Sequence, residues 1–244
     1  MDYAPGDVGT YLYPINQSTD QGVEGYHYLG MFRTQEDVDR FLETNPNYTI
    51  NGQAPKPGML YYQDIRGPRD ANGQFTGPDG KITEDEDKDW ISPKSSNHYG
   101  FGVSLGAGYK GLRLDMVLAG AFGGQDLVEG NARKAATATE NRPAFWADHW
   151  NENNTGAAYP NPFYDTNTWT SEFWFRNSFS FRMRSFNLSY NLPKSFTRNA
   201  NARVFLNGTN PFNFFNSFDY KDPSTSFDAY PNVKTFNLGV NFTL

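Results

Sequence analysis

The sequence predicts an all-β protein: five antiparallel strands near the C-terminus that form part of a larger transmembrane β-barrel with long loops. Three observations carry that expectation. Aromatic residues reach 17% (21 Phe, 15 Tyr and 5 Trp) although hydrophobic residues total only 37% and the mean hydropathy is -0.71. Strict two-residue alternation recurs in separate segments, and the connections between them are alternately short and long. A barrel wall shows this profile because only every second residue meets lipid, the lumen is polar and aromatic girdles mark the interfaces. A soluble all-β sandwich with aromatic loops shares the composition and stands as the rival.

The first alternating segment is HYGFGVSLGAGY, with Tyr99, Phe101, Val103, Leu105, Ala107 and Tyr109 on one face. Lys110-Gly111 is a two-residue turn, since Gly supplies the positive φ that tight hairpins need. LRLDMVLAGAF returns, with Leu112, Leu114, Met116 and Leu118 opposed to Arg113, Asp115, Val117 and Ala119. The region from Gly123 to about Glu172 lacks sustained periodicity and reads as a long ordered loop. FSFRMRSFNLSYNL is the third strand; its apolar row switches parity, which predicts a bulge at Arg184 or Ser185. Pro193 closes it, ARVFLNGTN is the fourth strand, and a second loop is expected from Phe212 to Asn232.

The chain ends in VKTFNLGVNFTL, where Phe236, Leu238, Val240, Phe242 and Leu244 share a face. Five strands do not close a barrel, because the smallest transmembrane barrels have about eight. The strands are therefore expected to belong to something larger. The domain division expected is 1–96, a loop region with one short helix and an acidic turn, and 97–244, the strand region with two long outer loops. The helix is expected at Gln35 to Glu43, capped by Thr34 with Asp37 in a capping box and Pro46 beyond its end.

The net charge of -6 has no basic stripe, so nucleic acid is excluded as a partner. The absence of cysteine removes disulfides, thiolate metal sites and a cysteine nucleophile. No apolar run approaches the ~18 residues of a membrane helix, and residues 1–15 lack a signal peptide's pattern, so any export signal is expected elsewhere. Gly106 to Gly111 satisfies G-x-G-x-x-G, but a strand follows it rather than a helix, so no helix N-terminus could hold a pyrophosphate. Catalysis is not expected: His27, His98 and His149 are isolated, and neither H-E-x-x-H nor G-x-S-x-G occurs. Asp148-His149 beside Trp146 and Trp150 reads as loop packing, and Glu84 with Glu86 matches glycosidase carboxylates in residue type alone.

Seven stretches, in this order, resemble the SusC/RagA-type TonB-dependent outer-membrane transporters of Bacteroidetes. They are EGYHYLGMFRTQEDVDRF, PGMLYYQDIRG with DGKITEDED, HYGFGVSLGAGYKGLRLDMVLAGAFGG, DHWNENNTGAAYP, SFRMRSFNLSYNLPKS, ARVFLNGTNPFNF and YPNVKTFNLGVNFTL. The resemblance implies that the chain is the C-terminal part of a barrel of about 22 strands with a plug in its lumen. It implies an importer of glycans, peptides or similar nutrients, with no enzymatic activity. The partners implied are the remainder of the barrel and plug, TonB acting through that plug, a SusD-like surface lipoprotein and outer-membrane lipid. The long loops are expected outside the cell and the C-terminus on the periplasmic side. A barrel subunit of another outer-membrane machine, and a soluble carbohydrate-binding or interaction module, are the alternatives.

Two groups of site residues are nominated. Asp79-Gly-Lys-Ile followed by acids is the second half of an EF-hand-like loop, in which Gly makes the sharp turn and late carboxylates act as ligands. By resemblance Asp64 is the first ligand, so calcium, if any cofactor binds, would be held by Asp64, Asp79, the Lys81 carbonyl and Glu86; Arg66 and the insertion at Asp70 to Pro78 depart from the pattern. Trp146, Trp150, Tyr159, Phe163 and Trp169 are nominated for contact with ligand or lid, against a reading in which they pack the loop's own core.

Overall fold

A computed structural model describes residues 23–92, 99–135, 142–197, 200–222 and 224–243. The chain divides into two compact units, one comprising Met1–Ser95 and Gln125–Arg176, the other Ser96–Gly124 and Asn177–Leu244.

The second unit is a five-stranded antiparallel meander. Its strands are β1 (Tyr99–Tyr109), β2 (Leu112–Phe122), β3 (Ser180–Asn191), β4 (Asn201–Asn216) and β5 (Thr235–Thr243), paired in chain order. The β1–β2 turn is Lys110-Gly111, with φ of 46° and 85°. Both central residues are left-handed, the geometry that lets a two-residue turn follow the twist of its strands.

The β3 bulge falls on Arg184: Val117 pairs with Ser185 and Leu118 with Met183, which leaves Arg184 without an opposite residue on β2. The bulge keeps Phe186 and Met183 on the same face as Met116 and Leu118.

β4 differs from expectation. It does not stop before Phe212 but continues to Asn216. Asn210-Pro211 reads as a turn, yet Ser185 pairs with Thr209 and Met183 with Phe212, so the dipeptide faces the bulge at Arg184. Asn210 takes φ 49° there. A bulge is a place where proline's missing N–H removes no ladder bond, so the strand runs on through it.

The first unit holds an aromatic core. Tyr26, Phe32, Val38, Tyr48, Ile50, Met59, Leu60, Tyr62 and Ile82 form one buried cluster, with Trp169 stacked on Tyr26 at 4.6 Å. One helix, α1 (Gln35–Thr44), flanks it with Val38 buried. Its capping box forms as expected: Thr34 Oγ1 accepts the Asp37 N–H at 3.2 Å and Asp37 Oδ2 accepts the Thr34 N–H at 3.0 Å. The Tyr48 hydroxyl donates to the Tyr62 carbonyl at 2.7 Å and accepts the Tyr62 N–H at 2.9 Å, so a side chain replaces a neighbouring strand. Residues read as loop before Ser92 thus contain two- to four-residue strands around a packed interior.

Candidate functional site: a sheet with two faces

Register turns the alternation of single strands into rows that cross the sheet. Ala107, Leu114, Leu188, Leu206 and Leu238 form one row; Leu105, Met116, Phe186, Gly208 and Phe236 form the next. Tyr109, Leu112, Tyr190, Val204 and Val240 form the row nearest the β1–β2 turn. On the opposite face run Gly106, Asp115, Asn187, Asn207 and Asn237, and beside them Ser104, Val117, Ser185, Thr209 and Thr235. The Asn237 amide donates to Asn207 Oδ1 at 3.0 Å along that polar row.

The apolar face is not covered. Leu105 is 47% exposed, and Phe236, Leu238, Val240 and Phe242 are 56%, 77%, 50% and 70% exposed. Those four belong to the C-terminal strand nominated from sequence; Leu244 lies outside the described residues. Among the described residues, the large hydrophobic side chains that are exposed all belong to the second unit, apart from Leu29 and Phe163. A soluble domain rarely leaves so wide an apolar surface uncovered.

Aromatic residues edge this face at both ends. At one end Tyr99 stacks on Phe122 at 5.2 Å, Phe101 on Phe181 at 5.9 Å and Phe181 on Phe215 at 6.4 Å. At the other stand Tyr109, Tyr190 and Phe242. β1 has 11 residues. At about 3.4 Å per step and the ~40° tilt of barrel strands, it rises roughly 25 Å, the height of an outer-membrane barrel's apolar band. Among the described residues no helix is long and apolar enough to cross a membrane.

The charges obey the same division. Across the five strands they are Arg113, Asp115, Arg182, Arg184 and Arg203. Arg113, Asp115, Arg182 and Arg203 fall in polar-face register, and Arg184 is the bulge residue. Arg113 clasps Asp115 through two bonds of 2.8 Å.

In the first unit, four of the five nominated aromatics pack inward. Trp146 and Trp150 are each 8% exposed, and their indole N–H groups donate at 2.9 Å to the Ala132 and Arg33 carbonyls. Tyr159 stacks on Phe145 at 4.6 Å, and Trp169 lies on Tyr26. Phe163, 72% exposed, is the member that meets solvent. His27 binds Glu172 at 3.1 Å, His149 Nδ1 lies 2.6 Å from the Trp146 carbonyl, and His98 lies outside the described residues.

The acidic turn is held by its own amides. Asp64 Oδ2 accepts the Gly80 N–H at 2.5 Å, Asp79 Oδ1 the Lys81 N–H at 2.9 Å, and Glu86 Oε2 the Thr83 hydroxyl at 2.6 Å. Asp87, not nominated from sequence, is fully buried and accepts the N–H groups of Ile65 at 3.0 Å and Thr83 at 2.8 Å. Burial pushes its carboxyl up to about 6. Asp64 Oδ1 is buried without a hydrogen-bond partner, but one free oxygen is far short of the six to eight that calcium takes. Among the described residues no three or more His, Cys, Asp or Glu side chains group as a metal site would need.

A TonB-dependent receptor P3 of Formosa agariphila is 25% identical over 236 residues, covering 89% of this chain and 21% of that protein. The RagAB peptide importer in its open-open state matches in structure with a TM-score of 0.60 at 18% identity, covering 99% of this chain and 24% of that one. A second structure, of the RagAB peptide transporter, gives 0.57 at 20% identity over 90% and 22%. The chain resembles the SusC/RagA-type TonB-dependent transporters. No protein-family model matches it.

At these identities the structural likeness is one of fold, and the two-faced sheet is compatible with it. The chain spans between 21% and 24% of the length of these relatives. They are receptors and importers rather than enzymes, in agreement with the non-catalytic reading of the sequence.

Proposed function

We propose that the chain is the C-terminal part of a TonB-dependent outer-membrane importer, supplying the last five strands of a wall of about 22. One observation carries the reading: register-aligned apolar rows share one exposed face, bounded by aromatics at both ends, while the charges of the strands lie on the other face or at its bulge. Lipid is the solvent that such an exposed face suits, and a lumen suits the other.

On this reading the Lys110-Gly111 turn and the C-terminus lie on the periplasmic side, and the first unit is extracellular. The cargo is a nutrient such as a peptide or glycan, captured together with a SusD-like lipoprotein and drawn in through TonB acting on a plug. The peptide importers that share the fold support the peptide class. Phe163 presents the aromatic surface available to a lid or ligand, and Trp146, Trp150, Tyr159 and Trp169 shape the loop that carries it.

Fractionation tests the proposal. Recovery in outer membranes, with solubility that needs detergent and gel migration that shifts on heating, is expected. A monodisperse protein in plain buffer would instead favour a soluble all-β binding module.

A further inference from the structure

The arginines of β3 sit over unusually open ground. Arg182 and Arg184 line a cavity of about 470 Å³ on the polar face, floored by Gly100, Gly102 and Ala119 and flanked by Ser180. That volume lies within the range of small-ligand pockets. A Cβ at Gly100 would meet nothing within 4 Å, and one at Gly102 only the Leu118 carbonyl at 3.9 Å. Arg182 donates to the Ser224 hydroxyl, and no carboxylate among the described residues pairs with either guanidinium. Arg113, on the same face, is neutralised by Asp115.

Two cations in one cavity, with no counter-ion among the described residues, raise the local potential and draw anions. The guanidinium fork matches the two oxygens of a carboxylate. The floor narrows the choice further: glycine in a strand lets another backbone approach closely, and a free inorganic anion would leave that space unused. We infer that Arg182 and Arg184, over the Gly100–Gly102 floor, form a binding site for the carboxylates of an acidic peptide. By two-residue alternation Arg184 falls on the same face as Arg182, and the bulge leaves it without an opposite residue on β2. The inference relies on the importer proposal for its part in transport and not for binding.

The test uses the intact transporter in detergent, with triglutamate, triglutamine and inorganic phosphate as probes in equilibrium binding. Triglutamate is expected to bind about tenfold or more tighter than triglutamine, the effect of one charge-assisted hydrogen bond or more. Arg182→Gln with Arg184→Gln should erase the preference and leave triglutamine binding as it was. Arg203→Gln, outside the cavity, should preserve it. If the double variant fails to fold, judged by loss of heat-modifiable migration, Arg184→Lys at the exposed bulge keeps the charge without the fork and should weaken triglutamate severalfold. Equal binding of the two peptides, a preference that survives the double variant, triglutamate affinity undiminished in Arg184→Lys, or displacement of triglutamate by phosphate at equal concentration would overturn the inference. A protein found outside the membrane that still prefers triglutamate would refute the importer proposal and sustain this one.

Discussion

The side chain of Asn167 holds the backbone of Leu60. Its Oδ1 accepts the Leu60 N–H at 2.7 Å, its amide donates to the Gly58 and Asn161 carbonyls at 2.8 Å each, and its own carbonyl accepts the Trp174 indole N–H at 2.9 Å. Asn167 is fully buried. Asn167→Leu strands the Leu60 N–H and takes one of two donors from each of the Gly58 and Asn161 carbonyls, which keep the Asn161 and Tyr164 N–H groups, and should destabilise the first unit by about 1–3 kcal/mol. Asn167→Asp should be at least as damaging, since it turns a second acceptor toward two carbonyls. Limited proteolysis of the folded protein checks both.

The Tyr48 hydroxyl, which both donates to and accepts from the Tyr62 backbone, should matter more than its ring. Tyr48→Phe keeps the packing and leaves a buried N–H and C=O unpaired, at about 1–3 kcal/mol. Thermal unfolding followed by near-ultraviolet circular dichroism would register the loss; an unchanged midpoint would mean that water replaces the hydroxyl.

Asp87 sets a pH dependence. Its carboxyl is raised in the folded state from 3.8 to about 6, so the fold binds its proton more tightly than the unfolded chain does. The stability linked to it is full below about pH 4 and is lost as pH rises through about 6. Urea midpoints at pH 4.5 and 7 should differ in that direction, and Asp87→Asn should flatten the difference.

Calcium should not bind the acidic turn with its hydrogen bonds intact. Titration with millimolar calcium is expected to give no saturable heat. Heat that disappears in Asp64→Ala would show that the turn opens into a ligand set.

The second unit was legible because its signal is local. Alternation in Tyr99–Tyr109 and Thr235–Thr243 and the parity switch at Arg184 each follow from a few adjacent residues. β4 was cut short because Asn210-Pro211 is a turn signal that only the opposing bulge converts into strand. In the first unit the signal is distant. Strands of two to four residues carry no period, and the bonds from Asn167 to Leu60 and from Trp150 to Arg33 join positions that nothing in the sequence pairs. The inward packing of Trp146 and Trp150 stood in the sequence as one of two readings, because an indole in a polar loop looks the same whether its N–H meets water or a carbonyl. Asp87 was missed among neighbouring acids for a similar reason: its burial depends on amides from two separate turns.

The central claim is that one face of the sheet meets lipid, and a depth series of arginine substitutions in the membrane-inserted protein measures it directly. Leu105→Arg, at mid-height on β1, should cost about 2–4 kcal/mol of unfolding free energy, and Tyr109→Arg, at the aromatic end of the same strand, roughly 0–1. Equal and negligible costs at both positions would mean that the face meets water, and would contradict the account.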